Sequence, residues 1–98
     1  MNLERITFSE IEENKEKVTA ILFNKKGFDI EGMIRWLFDR KLVFETYKET
    51  NKFYIIEQPQ RKDFKHFKYR VVDKNSIYAE LGTDIVTQKI DVDDILET

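Results

Sequence analysis

Beyond Lys41 the apolar residues of this chain stop recurring every three or four positions. They gather instead into short β-branched and aromatic runs, and that change of period limits the folds open to it. "LVFETY" and "KFYIIEQ" flank "KETNK" and read as a hairpin, and "QPQRKD", around the only proline, reads as a loop. "FKHFKYRVV" and "SIYAEL" flank "DKN" as a second hairpin, and "IVTQKIDV" follows the turn "GTD" as a fifth strand. Strands are expected over about 42–47, 52–58, 64–72, 76–81 and 85–92, with "DDILET" as a closing helical turn or tail.

Before Lys41 the spacing is helical. Thr7 is a good N-cap, Glu10 three residues on completes a capping box, and Ile6 and Ile11 occupy the staple positions. Phe8, Ile11, Val18, Ile21 and Leu22 share one side at helical spacing, Lys25 and Lys26 suit the negative end of the dipole, and Gly27 can stop the helix. A first helix is expected over about 8–24. Asp29 caps a second, over about 30–40, with Ile30, Met33, Ile34, Leu37 and Phe38 as its core stripe.

A three-residue loop Asp73-Lys74-Asn75 sets a register for the second hairpin in which Val71 faces Ile77, Tyr69 faces Ala79 and Phe67 faces Leu81. Those six then line the core face. A two-residue loop would pair Tyr69 with Glu80 and mix the faces. The other face carries Phe64, His66, Lys68 and Arg70, with Lys68 opposite Glu80 and Arg70 opposite Tyr78. Two helices of about 10–12 Å width cover one face of a five-strand sheet about 19 Å across, not both, so this second face is expected to be open. The register of the first hairpin is ambiguous, because both short loops leave a charged residue on each face.

The fold expected is α+β over a single domain, 1–98, with an N-terminal helical pair packed on one face of a mainly antiparallel sheet of about five strands. Its core is expected to hold Ile11, Val18, Ile21, Leu22, Ile30, Met33, Ile34, Leu37, Phe67, Tyr69, Val71, Ile77, Ala79 and Leu81. The chain has no cysteine, so neither a disulfide framework nor thiolate chemistry is available. It also has no apolar run of membrane-spanning length and no signal-peptide pattern at its start; the expected location is cytoplasmic.

The net charge of −2 is unevenly spread. Residues 61–74 carry 6 Lys/Arg against 2 Asp/Glu, and residues 75–98 carry 1 against 6. The basic stretch includes "DFKHFKYR", where aromatic rings interleave with cations as they do on surfaces that stack bases and follow phosphates. Arg61, Lys62, Phe64, His66, Lys68 and Arg70 are the candidate nucleic-acid contacts. The competing description is the solvated side of an antiparallel sheet, which also collects Lys, Arg and Tyr.

For a protein partner the candidates are Gly32 and Trp36, one turn apart off the core stripe, with Tyr78, Glu80, Asp91, Asp93 and Asp94. Enzyme chemistry finds little to work with. His66 is the only histidine, and no Gly-rich phosphate loop or Gly-Ser nucleophile motif is present. "DVDD" (91–94) lacks the glycine and distal glutamate of a calcium loop, and "DFK" (63–65) matches only a fragment of a metal-dependent nuclease pattern. No metal and no cofactor is expected.

Residues 28–58, "FDIEGMIRWLFDRKLVFETYKETNKFYIIEQ", resemble the recognition helix and wing of a winged-helix DNA-binding domain: a helix ending "WLFDRKLV", then a hairpin ending in aromatics. The resemblance implies DNA contact through the helix face of Glu31, Gly32, Arg35 and Asp39, of which only Arg35 favours a phosphate or guanine edge. Only one helix precedes it, where that family has two.

The function expected is therefore non-catalytic binding of another protein, as an inhibitor, immunity or adaptor protein. Lys-, Asn- and Ile-rich usage suits a bacterial or phage origin. The alternative is a nucleic-acid-binding module that uses the aromatic-basic face or a degenerate winged helix. Each outer strand also offers an unpaired edge through which a homodimer could form.

Overall fold

A computed structural model describes residues 5–72 and 77–83. The architecture is α+β, with two helices and a six-stranded mixed sheet. In chain order the elements are β1 (Arg5–Ile6), α1 (Phe8–Glu13), β2 (Val18–Asn24), α2 (Ile30–Asp39), β3 (Thr46–Glu49) and β4 (Phe53–Glu57). A 3-10 helix (Pro59–Asp63), β5 (His66–Val72) and β6 (Ile77–Thr83) follow. The strands lie in the order β1-β5-β6-β2-β4-β3, antiparallel throughout except for the parallel β1–β5 pair.

Both expected helix starts are present. The Thr7 hydroxyl accepts from the Glu10 amide at 3.1 Å, and the Asp29 carboxylate accepts from the Gly32 amide at 2.7 Å. The expected first helix, 8–24, is corrected: it stops at Glu13, and 18–24 is the strand β2. The stop is a Schellman motif built on lysine. Lys15 adopts φ 57°, its amide donates to Glu12, and the Glu16 amide donates to Ile11. α2 ends the same way, with Lys41 at φ 59° and amide bonds from Lys41 to Phe38 and from Leu42 to Leu37. Gly27, expected to stop the first helix, instead closes a turn onto Asn24 with φ below zero.

β2 is a central strand, paired with β4 on one side and β6 on the other. Its first six residues are all buried, so "VTAILF" carries no alternation to separate it from helix. A bulge at Thr19 lets Val18 and Ala20 meet successive residues of β6.

Ile11 of α1 and Met33 and Leu37 of α2 share one buried cluster with Ile21, Phe23, Ile56, Ile77, Ala79 and Leu81. Those strand residues define the first face of the sheet. Ala20, Leu22, Phe53, Tyr69 and Tyr78 form a second cluster on the other face. Two expected core positions are corrected: Ile30 and Ile34 are exposed, as is Phe38. The α2 arc from Phe38 round to Trp36 is wider than one side of a helix can bury, and Met33 and Leu37 take the inside.

The register of β5 and β6 is one residue from the expected one. Tyr69 faces Glu80, Val71 faces Tyr78 and Phe67 faces Gly82. That single step sends Phe67, Tyr69 and Val71 to the second face and turns His66, Lys68 and Arg70 toward the first. The pairing expected to be excluded, Tyr69 with Glu80, is the one adopted. Phe64 covers the gap at Gly82, where an added Cβ would lie 2.4 Å from its ring.

In the first hairpin, Thr46 faces Glu57 and Tyr47 faces Ile56, and the Thr50 amide donates to Phe53 across Asn51 and Lys52. This hairpin continues into the sheet through β4 and β2. The expected fifth strand, 85–92, and the tail lie outside the described residues.

Candidate functional site

The four residues expected on one open face, Phe64, His66, Lys68 and Arg70, are divided by the register, and the candidates Arg61 and Lys62 lie on the 3-10 helix before β5. Arg61 ends up on the second face, 4.4 Å over the Phe67 ring and 2.8 Å from Glu80 Oε1, with Glu57 at 3.6 Å. Phe64 lies on Gly82 on that same face. Lys68 pairs with Glu16 at 3.2 Å on the other face, and Arg70 donates to the Tyr69 carbonyl at 2.9 Å. Lys62 is exposed and His66 is half-buried. No single surface presents all six.

The expected protein-contact set is likewise dispersed. Tyr78 and Glu80 are buried. Trp36 is partly buried against Phe8 and Phe23, edge-on at 6.1 and 5.6 Å, with the Arg40 guanidinium 3.9 Å from its ring. Gly32 has a local reason: a Cβ there would press the capping Asp29 carboxylate at 3.0 Å. Asp91, Asp93 and Asp94 lie outside the described residues.

Around Glu80 the second face holds a polar network that no local pattern announces. Its carboxylate accepts from the Tyr69 hydroxyl at 2.7 Å, from the Thr19 hydroxyl at 2.8 Å and from Arg61. The bulge aims Thr19 inward, and the 3-10 helix delivers Arg61. Arg61 also meets Glu57, which pairs with Lys48 at 3.2 Å, so a line of alternating charges runs from the surface inward. Burial first, and then the Glu80 carboxylate, push the Tyr69 phenol above its ordinary pKa. Burial works against the Arg61 charge, but Glu80 outweighs it and the guanidinium pKa is raised. Every buried side-chain N or O atom of this network has a hydrogen-bond partner.

Two shallow clefts flank these features. One of about 410 Å³ is lined by Thr7, Phe8, Ser9, Asp39 and Arg40, the other of about 250 Å³ by Thr46, Glu57, Gln58, Pro59, Arg61 and Lys62. Among the described residues no three His, Asp or Glu side chains gather as metal ligands. None of the described helices is long and apolar enough to cross a membrane.

The surface feature missed in the sequence is apolar. Ile30, Ile34 and Phe38, four residues apart along α2, are 51%, 44% and 79% exposed. Phe44 and Tyr47 are exposed as well. They stack at 6.1 Å, and Tyr47 reaches Tyr54 at 5.9 Å. Tyr47 faces Ile56 in the register, which puts it on the same side of the sheet as the α2 cluster. The signal was present as an apolar arc too wide for one buried side, read as core throughout. Gln58 holds the segment between these groups: its side-chain amide pairs with both backbone groups of Val43, at 3.1 and 2.9 Å. The chain matches no protein-family model, no curated protein and no solved structure.

Proposed function

We propose that this chain is a non-catalytic binding protein, of the inhibitor, immunity or adaptor kind, that contacts another protein through the outer flank of α2. The observation that carries the reading is the row Ile30, Ile34 and Phe38, left in water on a helix whose other side is buried. A large aromatic that is 79% exposed at the end of an apolar row has the character of an interface anchor. Phe44 and Tyr47 form a second exposed pair, stacked on each other. The titratable groups drawn into the interior are spent on one another, which leaves the aromatic-basic set with no shared platform for bases.

The test is site-specific photo-crosslinking. A photoreactive phenylalanine analogue replaces Phe38 in one variant and the exposed Glu12 in a control, and each is irradiated in extract of the natural source. The expected result is one defined adduct from position 38, abolished by Ile34→Asp and absent from position 12. Equal adducts at both positions, or none at position 38, overturn the reading.

A further inference from the structure

The flank of α2 is complementary to itself. We propose that its partner is a second copy of this chain, bound about a two-fold axis with the two α2 helices antiparallel. This rests on the reading of that flank as a contact surface, and three observations specify the occupant.

The first is the apolar row. At 1.5 Å rise per residue, Ile30, Ile34 and Phe38 span about 12 Å. Antiparallel association runs the two rows along each other in reverse order, so the bulky, most exposed end, Phe38, lies toward the smaller end, Ile30, of the other copy, and it does so twice.

The second is charge. Glu31 and Arg35 follow Ile30 and Ile34 by one residue and so border the row on one side, and both are exposed. No ion pair among the described residues engages either of them. When two helices run antiparallel, like borders meet. A dyad level with Met33 then sets Glu31 of each copy beside Arg35 of the other, giving two ion pairs. In a parallel two-fold pair opposite borders meet, so the two charged borders would lie on opposite sides of the seam and form no such pairs. Asp39 continues the same border, six residues from the dyad, where it is level with Gly27 of the other copy and meets no charge.

The third is area. At about 200 Å² per large side chain, the exposed fractions of Ile30, Ile34 and Phe38 amount to roughly 350 Å² per copy. A dimer on this row would bury about 700 Å² of apolar area in total, the size of a weak interface, so its association is concentration-dependent. This surface differs from the β3 edge, whose four exposed residues include Lys48 and Glu49 in the manner of a guarded edge.

The test is sedimentation velocity from about 1 to 500 µM, the range in which an interface of this size assembles. Wild type, Phe38→Asp, Glu31→Lys and Arg35→Glu are compared, with circular dichroism to show that each is folded. Wild type is expected to dimerise within the range. Phe38→Asp and each single charge reversal should weaken dimerisation at least about tenfold, since each reversal sets like charges together twice. An equimolar mixture of Glu31→Lys and Arg35→Glu restores opposite charges at both contacts and should dimerise to within about threefold of wild type. A wild type that is monomeric throughout, a dimer indifferent to Phe38→Asp, or a mixture no better than its components overturns the proposal. If wild type is monomeric while the analogue at position 38 captures a different protein, the dimer is wrong and the binding function stands. If position 38 captures neither, both fall.

Discussion

On the first face of the sheet Phe23, Ile77 and Leu81 meet other apolar side chains, while one residue along the same strand Glu80 lies among Arg61, Tyr69 and Thr19 on the second. Both environments are almost dry: Phe23 is 0% exposed and Glu80 4%. They reach that state by different physics. Apolar burial is non-directional, so the first face needs only the right residues at the right period. The second face needs each lone pair and proton met by a named partner, and those partners come from a bulge, a 3-10 helix and the neighbouring strand. The first face should therefore respond to lost volume and the second to lost pairing.

The largest effect is expected from Phe23→Ala, which opens a cavity between Phe28 and Trp36 and should cost about 3–5 kcal/mol in denaturant unfolding. Arg61→Met comes next, at roughly 2–3 kcal/mol, because it leaves the Glu80 carboxylate buried without its cation, with a discount for the partial exposure of Arg61. Combining it with Glu80→Met removes both charges, and the double variant should regain part of that loss, the rest remaining because the buried Tyr69 hydroxyl loses its carboxylate acceptor. A double variant no better than Arg61→Met would mean that the second face is held by shape and not by pairing.

The third comparison uses pH. The folded state holds the Tyr69 proton to higher pH than the unfolded chain, in which tyrosine releases it near pH 10. Above about pH 10 the unfolded state therefore carries fewer protons, and stability falls as pH rises; below that the contribution is constant. Tyr69→Phe should flatten part of this alkaline decline in the thermal midpoint. Tyr78, also raised by burial, leaves the remainder. The smallest effect is expected on neither face. Lys15→Gly relieves a left-handed side chain at the cost of chain entropy and should stabilise by roughly 0.5–1 kcal/mol.

What the sequence made legible follows the same division. Thr7 and Asp29 could be read as caps because a cap and the amide it serves lie within three residues. The second helix was legible nearly to the residue, and β4, β5 and β6 to within two, but β3, expected over 42–47, spans Thr46–Glu49. The end of the first helix was not, because its left-handed stop is a lysine where pattern-reading looks for glycine. β2 was not, because a strand buried on both sides loses its alternation. The register of β5 and β6 failed for a subtler reason. Excluding charge from the interior is sound only where no partner arrives, and Thr19 and Arg61 lie 61 and 19 positions from Glu80. The α2 flank departs in the opposite sense: its apolar spacing predicts interior, but the fold has no room for Ile30, Ile34 and Phe38.

The strand order carries a consequence for the making of the chain. β2 is synthesised early, yet one of its two neighbours is β6, with Ile21 opposite Ala79. At about 5–20 residues per second, a nascent chain waits roughly 3–12 s between the two. In that interval β4 can join β2 along one edge, while the other edge of "VTAILF", rich in β-branched and aromatic residues, stays unpaired. The moment of greatest exposure to aggregation thus falls during translation, and a slower ribosome lengthens it.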